Sequence, residues 1–287
     1  MPYSVASSFL QFYENINLDG DFRSTANTRR DDIVKKLSKD FTIVEAFSTG
    51  SIPKFTALKN SADVDIMVAL HYGKHIKDKT PTQVLQTVRS SLAEWKTGSR
   101  RNGQAVTLSY VTGPNADIVP VSQVTDSQGA VLYYNVPDSN TDNWIPSKPK
   151  ELATAIESKS SECGYMFRRL IKMMKHWSRN HSDYLQSYHI EVLALNTISG
   201  MQDDLTWNIL QFWTEARKLL EGCLYYDTGL ADDYLSWPDR QEALKRFDTA
   251  ISLAKSAWYL TYDKNNDEKG AIALWKQMFG DKFPSYG

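Results

Sequence analysis

Cysteine is nearly absent from the chain. Cys163 and Cys223 are the only two in 287 residues, with neither metal-ligand spacing nor the density of a disulfide framework, which excludes a stapled secreted scaffold and a zinc module. Both fall in apolar-rich helical segments and read as small core residues. Long hydrophobic runs are missing as well: none approaches the ~18 residues of a membrane-spanning helix, and no leader pattern opens the chain. The expectation is a reduced, cytoplasmic protein with no membrane association. Charge of one sign is also lacking, since 33 Lys and Arg face 34 Asp and Glu for a formal net charge of −1. Holding long nucleic acid by phosphate neutralisation usually needs a strongly basic face. Here only Arg29-Arg30, Lys35-Lys36 and Arg100-Arg101 stand out, and they read as solvated helix and loop charges. No internal repeat or low-complexity tract appears.

What is present centres on residues 47–70, where a glycine-serine turn (Gly50-Ser51) feeds the apolar strand Ala62-Asp63-Val64-Asp65-Ile66-Met67-Val68-Ala69-Leu70. Alternate side chains of a strand project to one face about 6.5–7 Å apart. Asp63 and Asp65 can therefore grip the same cations while Val64, Ile66 and Val68 face a core. Such Asp-x-Asp pairs also arise by chance, and Asp19-Gly20-Asp21, in a polar turn with no apolar strand around it, is one. The second pair differs in its company. Gly50-Ser51 ends the apolar run 42–47, where backbone N–H groups and a small hydroxyl can approach a triphosphate closely. A third acid, Asp117, sits inside Ala116-Asp117-Ile118-Val119-Pro120-Val121, just after the break at Gly113-Pro114-Asn115. Three carboxylates in one cleft repel one another and raise their own pKa values unless a divalent cation neutralises them. Mg²⁺ takes oxygen ligands, keeps waters and shares substrate phosphates, so the cluster implies a nucleotide as the other half of the site.

Taken in order, residues 3–15 (Tyr3 to Asn15) and 25–38 have helical spacing, with Ile33, Val34 and Leu37 inward in the second. Strands are expected over 42–47, 62–70, 105–111, 116–121 and 131–136, and an amphipathic helix over 80–96 with Pro81 in its first turn. Residues 137–150, with three prolines, read as a crossover. Beyond it the pattern is helical over 151–158, 163–180, 188–199, 206–223, 240–262 and 269–279, interrupted by a long loop at 224–238. Strands first and helices later predict an α+β protein, with a catalytic lobe at 1–150, a helical lobe at 151–287 and the active site in the cleft between them.

Gly50-Ser51, Asp63-x-Asp65 and Asp117 resemble the signature of the polymerase-β-like nucleotidyltransferase superfamily. Lys175 in Met173-Met174-Lys175-His176-Trp177, and Ser187-Tyr188-His189-Ile190-Glu191, resemble the branch that contains cyclic GMP-AMP synthase, oligoadenylate synthase and the bacterial CD-NTases. The run 269–275 with Phe279-Gly280 and Phe283-Pro284 is similar to the CD-NTases in particular. The resemblance implies a mixed-sheet nucleotidyltransferase lobe and a helical lobe that binds donor and acceptor. It implies two ions of Mg²⁺ or Mn²⁺ held by Asp63, Asp65 and Asp117, with Asp117 either the general base for the attacking hydroxyl or a ligand of the ion that activates it. Ser51, Lys175 and Ser187 would hold the donor triphosphate, with the Gly50 backbone allowing close approach.

The implied reaction joins nucleoside triphosphates into a cyclic di- or trinucleotide second messenger with release of pyrophosphate. The implied setting is bacterial antiphage signalling, in which the product acts on a separate effector. The alternative is transfer to an RNA end, a protein or a small-molecule hydroxyl. There is no cysteine-histidine insertion of the kind used by the animal enzyme to sense DNA, so constitutive activity or a protein regulator is expected. Several residues also have plainer readings. Lys175 shares its helix with Arg168, Arg169, Lys172 and Arg179, and a solvated face fits equally. Tyr188 could stack on a nucleobase or serve as a core tyrosine. His189 reads as a hydrogen-bonded packing residue, Lys54 and Thr56 take no assigned role, and Trp177, Trp207, Trp213, Trp237, Trp258 and Trp275 read as helical packing.

Overall fold

Strands and helices segregate along the chain as the apolar periodicity requires. A computed structural model describes residues 4–18, 20–59, 61–138, 140–226, 229–262 and 266–287. Tyr3 of the first expected helix, Asp19 of the expected Asp-Gly-Asp turn and two residues of the 224–238 loop lie outside the described residues, and Gly20 and Asp21 of that turn instead begin a helix. The chain forms two compact units, one of residues 18–154 and the other of residues 1–17 with 155–287.

The chain begins with α1 (Val5–Ile16), started by a reciprocal capping box between Ser4 and Ser7, and α2 (Gly20–Leu37). Then follow β1 (Ile43–Thr49), β2 (Val64–Leu70), α3 (Pro81–Ala93), β3 (Ser99–Asn102), β4 (Ala105–Leu108), β5 (Ala116–Thr125), β6 (Val131–Pro137) and β7 (Trp144–Ser147). The sheet order is β1-β2-β5-β4-β3, with β6 on β5 and β7 on β6. β2 and β5 are parallel neighbours, which demands a crossover, and α3 lies within it. A second capping box fixes the start of α3: the Thr80 hydroxyl accepts from the Gln83 N–H and the Gln83 side chain accepts from the Thr80 N–H. Its apolar face, Val84, Leu85, Val88 and Leu92, joins Val64, Ile66 and Val68 in one core. On the opposite side of β2, Met67 and Ala69 pack with Val119, Val121 and Tyr134. Two strands of this sheet were not expected. β3 takes up Arg100 and Arg101, and β7 arises inside the proline-rich crossover, where Pro146 is tolerated because β7 pairs on one side only.

The second unit is built from α1 with α4 (Glu151–Cys163), α5 (Met166–Asn180), α6 (Ser187–Thr197), α7 (Leu205–Leu220), α8 (Trp237–Tyr262) and α9 (Glu268–Phe279), and a two-residue ladder of β8 (Tyr225–Tyr226) with β9 (Gly229–Leu230). α1 groups here and not with residues 18–150, because its aromatic face needs partners. The Phe9 ring meets Trp275 and Phe283 edge-on at 5.1 and 5.0 Å, and Phe12 meets Phe279 at 4.8 Å. Trp213 and Trp275 are buried as expected, whereas Trp237 is exposed at the start of α8. The cysteines depart from expectation too: Cys163 is half-buried and Cys223 exposed. Among the described residues, no helix is long and apolar enough to cross a membrane.

Candidate active site

The ladder between β1 and β2 places Thr49 opposite Asp65, so the chain leaves β1 directly beside that carboxylate. Gly50 follows, at φ +71°, and a Cβ built on it would lie 1.8 Å from Asp65 Oδ2. Only glycine lets the backbone turn here and come this close to an acid. The turn closes through the Thr56 N–H, which donates to the Ser51 carbonyl at 3.0 Å, and Thr56 itself is buried.

Asp65 on β2 stands in register with Asp117 on β5. Asp63, expected inside the strand, instead directly precedes it and is exposed, while Asp65 and Asp117 are half-buried. The Val64 N–H donates to the Asn115 carbonyl at 2.9 Å and ties the two strand entrances together. Burial pushes the Asp65 carboxyl up to about 7, reinforced by the charges of Asp117 and Asp63 and opposed by the Lys54 ammonium. Asp63, although exposed on the surface, is raised as well, by the partial desolvation of its carboxyl first and then by Asp117, against a backbone hydrogen bond from Asn115. Thr107 on β4 faces Asp117 across an antiparallel pair, is only 3% exposed, and donates its hydroxyl to Asp117 Oδ1.

Among the described residues, no three His, Cys, Asp or Glu side chains gather into a ready-made metal cage. Asp65 and Asp117 are adjacent in the sheet, and the charge of Asp63, two residues before Asp65, adds to the shift of Asp65. The donor set nevertheless fits a hard divalent cation. It is all oxygen, it carries more negative charge than it tolerates, and Mg²⁺ completes its shell with water and substrate phosphate and needs no all-protein cage.

The remaining candidates lie in the helical unit. Lys175 is 2% exposed and paired with Glu191 of α6, itself fully buried, so the solvated-face reading of this lysine is wrong. Lys172 is buried too and donates to Asn17 Oδ1. The outer cations of α5 behave differently: Arg168 pairs with Glu157 on the surface. Ser187 opens α6 and is half-buried. Tyr188 is 40% exposed and edge-on to Tyr226 at 6.2 Å, which excludes the core reading. His189 is buried with Nδ1 2.9 Å from the Tyr234 hydroxyl, and burial pushes it down to about 4, so it packs as a neutral imidazole. Sequence reading passed over Thr107, Lys54 as a counter-charge to Asp65, and Glu191. Of these, Glu191 left a signal: it is a lone acid in the apolar run 190–195.

Residues 3–159 match the Second Messenger Oligonucleotide or Dinucleotide Synthetase domain. The full chain is 24% identical to a probable cyclic nucleotide synthase of Bacillus cereus strain VD146 over 99% of that protein. It is 26% identical to the CBASS oligonucleotide cyclase CdnC of Escherichia coli strain KTE188, covering 97% of this chain and 98% of the relative. In fold it resembles E. coli MS115-1 CdnC, solved as a complex with HORMA-deltaN and with ATP, with TM-scores of 0.78 and 0.75 at 15% and 16% identity, each over 97% of this chain and 98% of the other. With a family match over more than half its length and a sheet that brings Gly50, Asp65 and Asp117 together, the chain belongs to the CD-NTase family of polymerase-β-like nucleotidyltransferases.

Proposed function

We propose that this enzyme joins nucleoside triphosphates into a cyclic di- or trinucleotide second messenger. The observation that carries the reading is the in-register pair Asp65 and Asp117, with the Gly50 backbone pressed against Asp65, in a chain whose relatives over nearly its whole length are named as a probable cyclic nucleotide synthase and an oligonucleotide cyclase. Two ions of Mg²⁺ or Mn²⁺ held by Asp63, Asp65 and Asp117 would supply the Lewis acidity that neutralises the reacting phosphate and acidifies the attacking hydroxyl.

The protein's own groups bind and orient. The turn at Gly50 and Ser51 presents small groups on which triphosphate oxygens can rest, and Ser187 and Lys175 are assigned to the same triphosphate. The exposed ring of Tyr188 offers a base-tolerant stacking face. Thr107 occupies Oδ1 of Asp117 and leaves Oδ2 as the atom that receives the hydroxyl proton or binds an ion. In-line attack on the α-phosphate then releases pyrophosphate, and one further round closes a cyclic dinucleotide or two further rounds a cyclic trinucleotide, each releasing another pyrophosphate. The reading extends to bacterial antiphage signalling through a separate effector, and the CdnC complex with HORMA-deltaN supports control by a protein partner.

The test is incubation of the protein with the four α-labelled nucleoside triphosphates and Mg²⁺ or Mn²⁺, then phosphatase treatment and separation by mass. A small phosphatase-resistant product is expected, and none from the double variant Asp63→Asn with Asp65→Asn. Label transferred instead to RNA, protein or a small-molecule hydroxyl would replace the cyclic product with the alternative acceptor.

A further inference from the structure

We infer that the helical unit carries a second ligand site, a pocket of about 560 Å³ built for a small amphipathic organic anion of single charge. It lies where the start of α1, the first turns of α5, the N-terminus of α7, the last residues of α8 (Thr261 and Tyr262) and the start of α9 (Asn266 and Glu268) meet, and none of these lining residues belongs to the candidate active site. The size falls within the range of small-molecule pockets, whose walls are mostly apolar with a few polar groups that fix orientation. Phe9, Met166, Met173 and Leu205 form such walls, and methionines adapt to varied shapes. The rim is apolar as well. Leu10, Tyr165 and Tyr262 are 57%, 69% and 57% exposed, and their gathering around one pocket is what an apolar ligand body would cover.

The charge of the ligand follows from which polar groups are already engaged. Asp204 accepts from the Thr206 and Trp207 N–H groups at 2.9 and 3.2 Å and from the Trp258 indole N–H at 3.1 Å. Glu268 accepts from the Val5 N–H at 2.6 Å. Arg169 is the opposite case. Its guanidinium lies 4.4 Å from the Tyr13 ring and 4.6 Å from the Tyr165 ring and, among the described residues, makes no hydrogen bond or ion pair. Stacking fixes the plane of the group and leaves its five donors free to bind a carboxylate, sulfonate or phosphate monoester. Asp203, exposed on the rim without a partner among the described residues, disfavours a second negative charge. The plainer account of Arg169, a pin between two tyrosines, predicts a stability effect but no selection between charged and uncharged ligands.

Anilinonaphthalene sulfonate, an aromatic monoanion, tests the site on the full chain by fluorescence titration. One saturable site is expected, weakened about tenfold or more in Arg169→Met and lost in Ala6→Trp, which puts an indole into the pocket from an exposed position of α1. Uncharged phenylnaphthylamine should bind the parent and Arg169→Met alike. No saturable site in the parent, sulfonate binding unchanged in either variant, or an equal loss of the uncharged dye in Arg169→Met would each overturn the proposal. Because the readout is binding at residues outside the carboxylate site, such a failure would leave the nucleotidyltransferase reading intact.

Discussion

Asp65 sets the pH behaviour of the site before any substrate is bound. Its folded-state pKa of about 7 stands above the ~3.9 of an unfolded aspartate, so the folded chain retains a proton that the unfolded chain releases. The associated stability is complete below pH ~4 and is lost as pH rises through about 7. In the absence of divalent cation, Asp65→Asn should therefore be more stable than the parent at pH 8, by on the order of 1–3 kcal/mol, and the advantage should vanish toward pH 4. Urea denaturation at several pH values checks this, and parallel profiles for parent and variant would refute the account in which burial, reinforced by the neighbouring carboxylates, holds Asp65 protonated. Thr107 acts on the other carboxylate. Thr107→Val keeps the shape and removes the donor to Asp117 Oδ1, so kcat should fall about tenfold with little change in KM or melting temperature. Thr107→Ser should restore the rate; a Ser variant as slow as Val would assign the effect to packing.

At the scale of elements, local pattern and distant pairing separate what could be read in advance from what could not. The β2 strand, the Gly-Ser turn and the capping box of α3 are local, and their residues announce them: alternation at Val64, Ile66 and Val68, glycine where a side chain would overlap Asp65, and Thr80 three residues before Gln83. Thr107 could not be found this way, because its contact with Asp117 depends on the register between β4 and β5. The same holds for α5. Arg168, Lys172, Lys175 and Arg179 recur at helical spacing and look like a solvent stripe, yet the partners that allow the middle of the stripe to be buried come from Glu191 on α6 and Asn17 beyond α1. Burying a charge pair is costly, and removing one partner leaves the other charge stranded. Lys175→Met or Glu191→Gln alone should thus destabilise the fold by about 3–5 kcal/mol, and the combined variant should recover much of that loss. A double-mutant cycle by chemical denaturation measures it, and strict additivity would show that the pair is not coupled.

For the whole molecule, the question is whether one nucleotide engages both units. The carboxylates and the Gly50 turn belong to residues 18–154, whereas Lys175, Ser187 and Tyr188 belong to the helical unit. Sequence resemblance supplied this division of labour as an expectation; the strand pairings that assemble the acids explain only the first half. Tryptophan gives a way to address the second. Trp95 and Trp144 lie in the sheet unit, and the other six of the eight tryptophans lie in the helical unit, so tryptophan-detected melting reports mainly on the helices. A ligand that binds only the folded state stabilises what it touches by about 2.7 kcal/mol at a hundredfold excess over its Kd, which is about 5 °C in melting temperature for a chain of this size. Mg²⁺ with a non-hydrolysable ATP analogue should produce that rise in the tryptophan signal of the parent. The rise should disappear in Asp63→Asn with Asp65→Asn, which removes the proposed cation ligands, and shrink in Ser187→Ala, which removes the proposed helical contact. Nucleotide binding detected by calorimetry without any shift in the tryptophan transition would place the triphosphate on the sheet unit alone and remove Lys175, Ser187 and Tyr188 from the site.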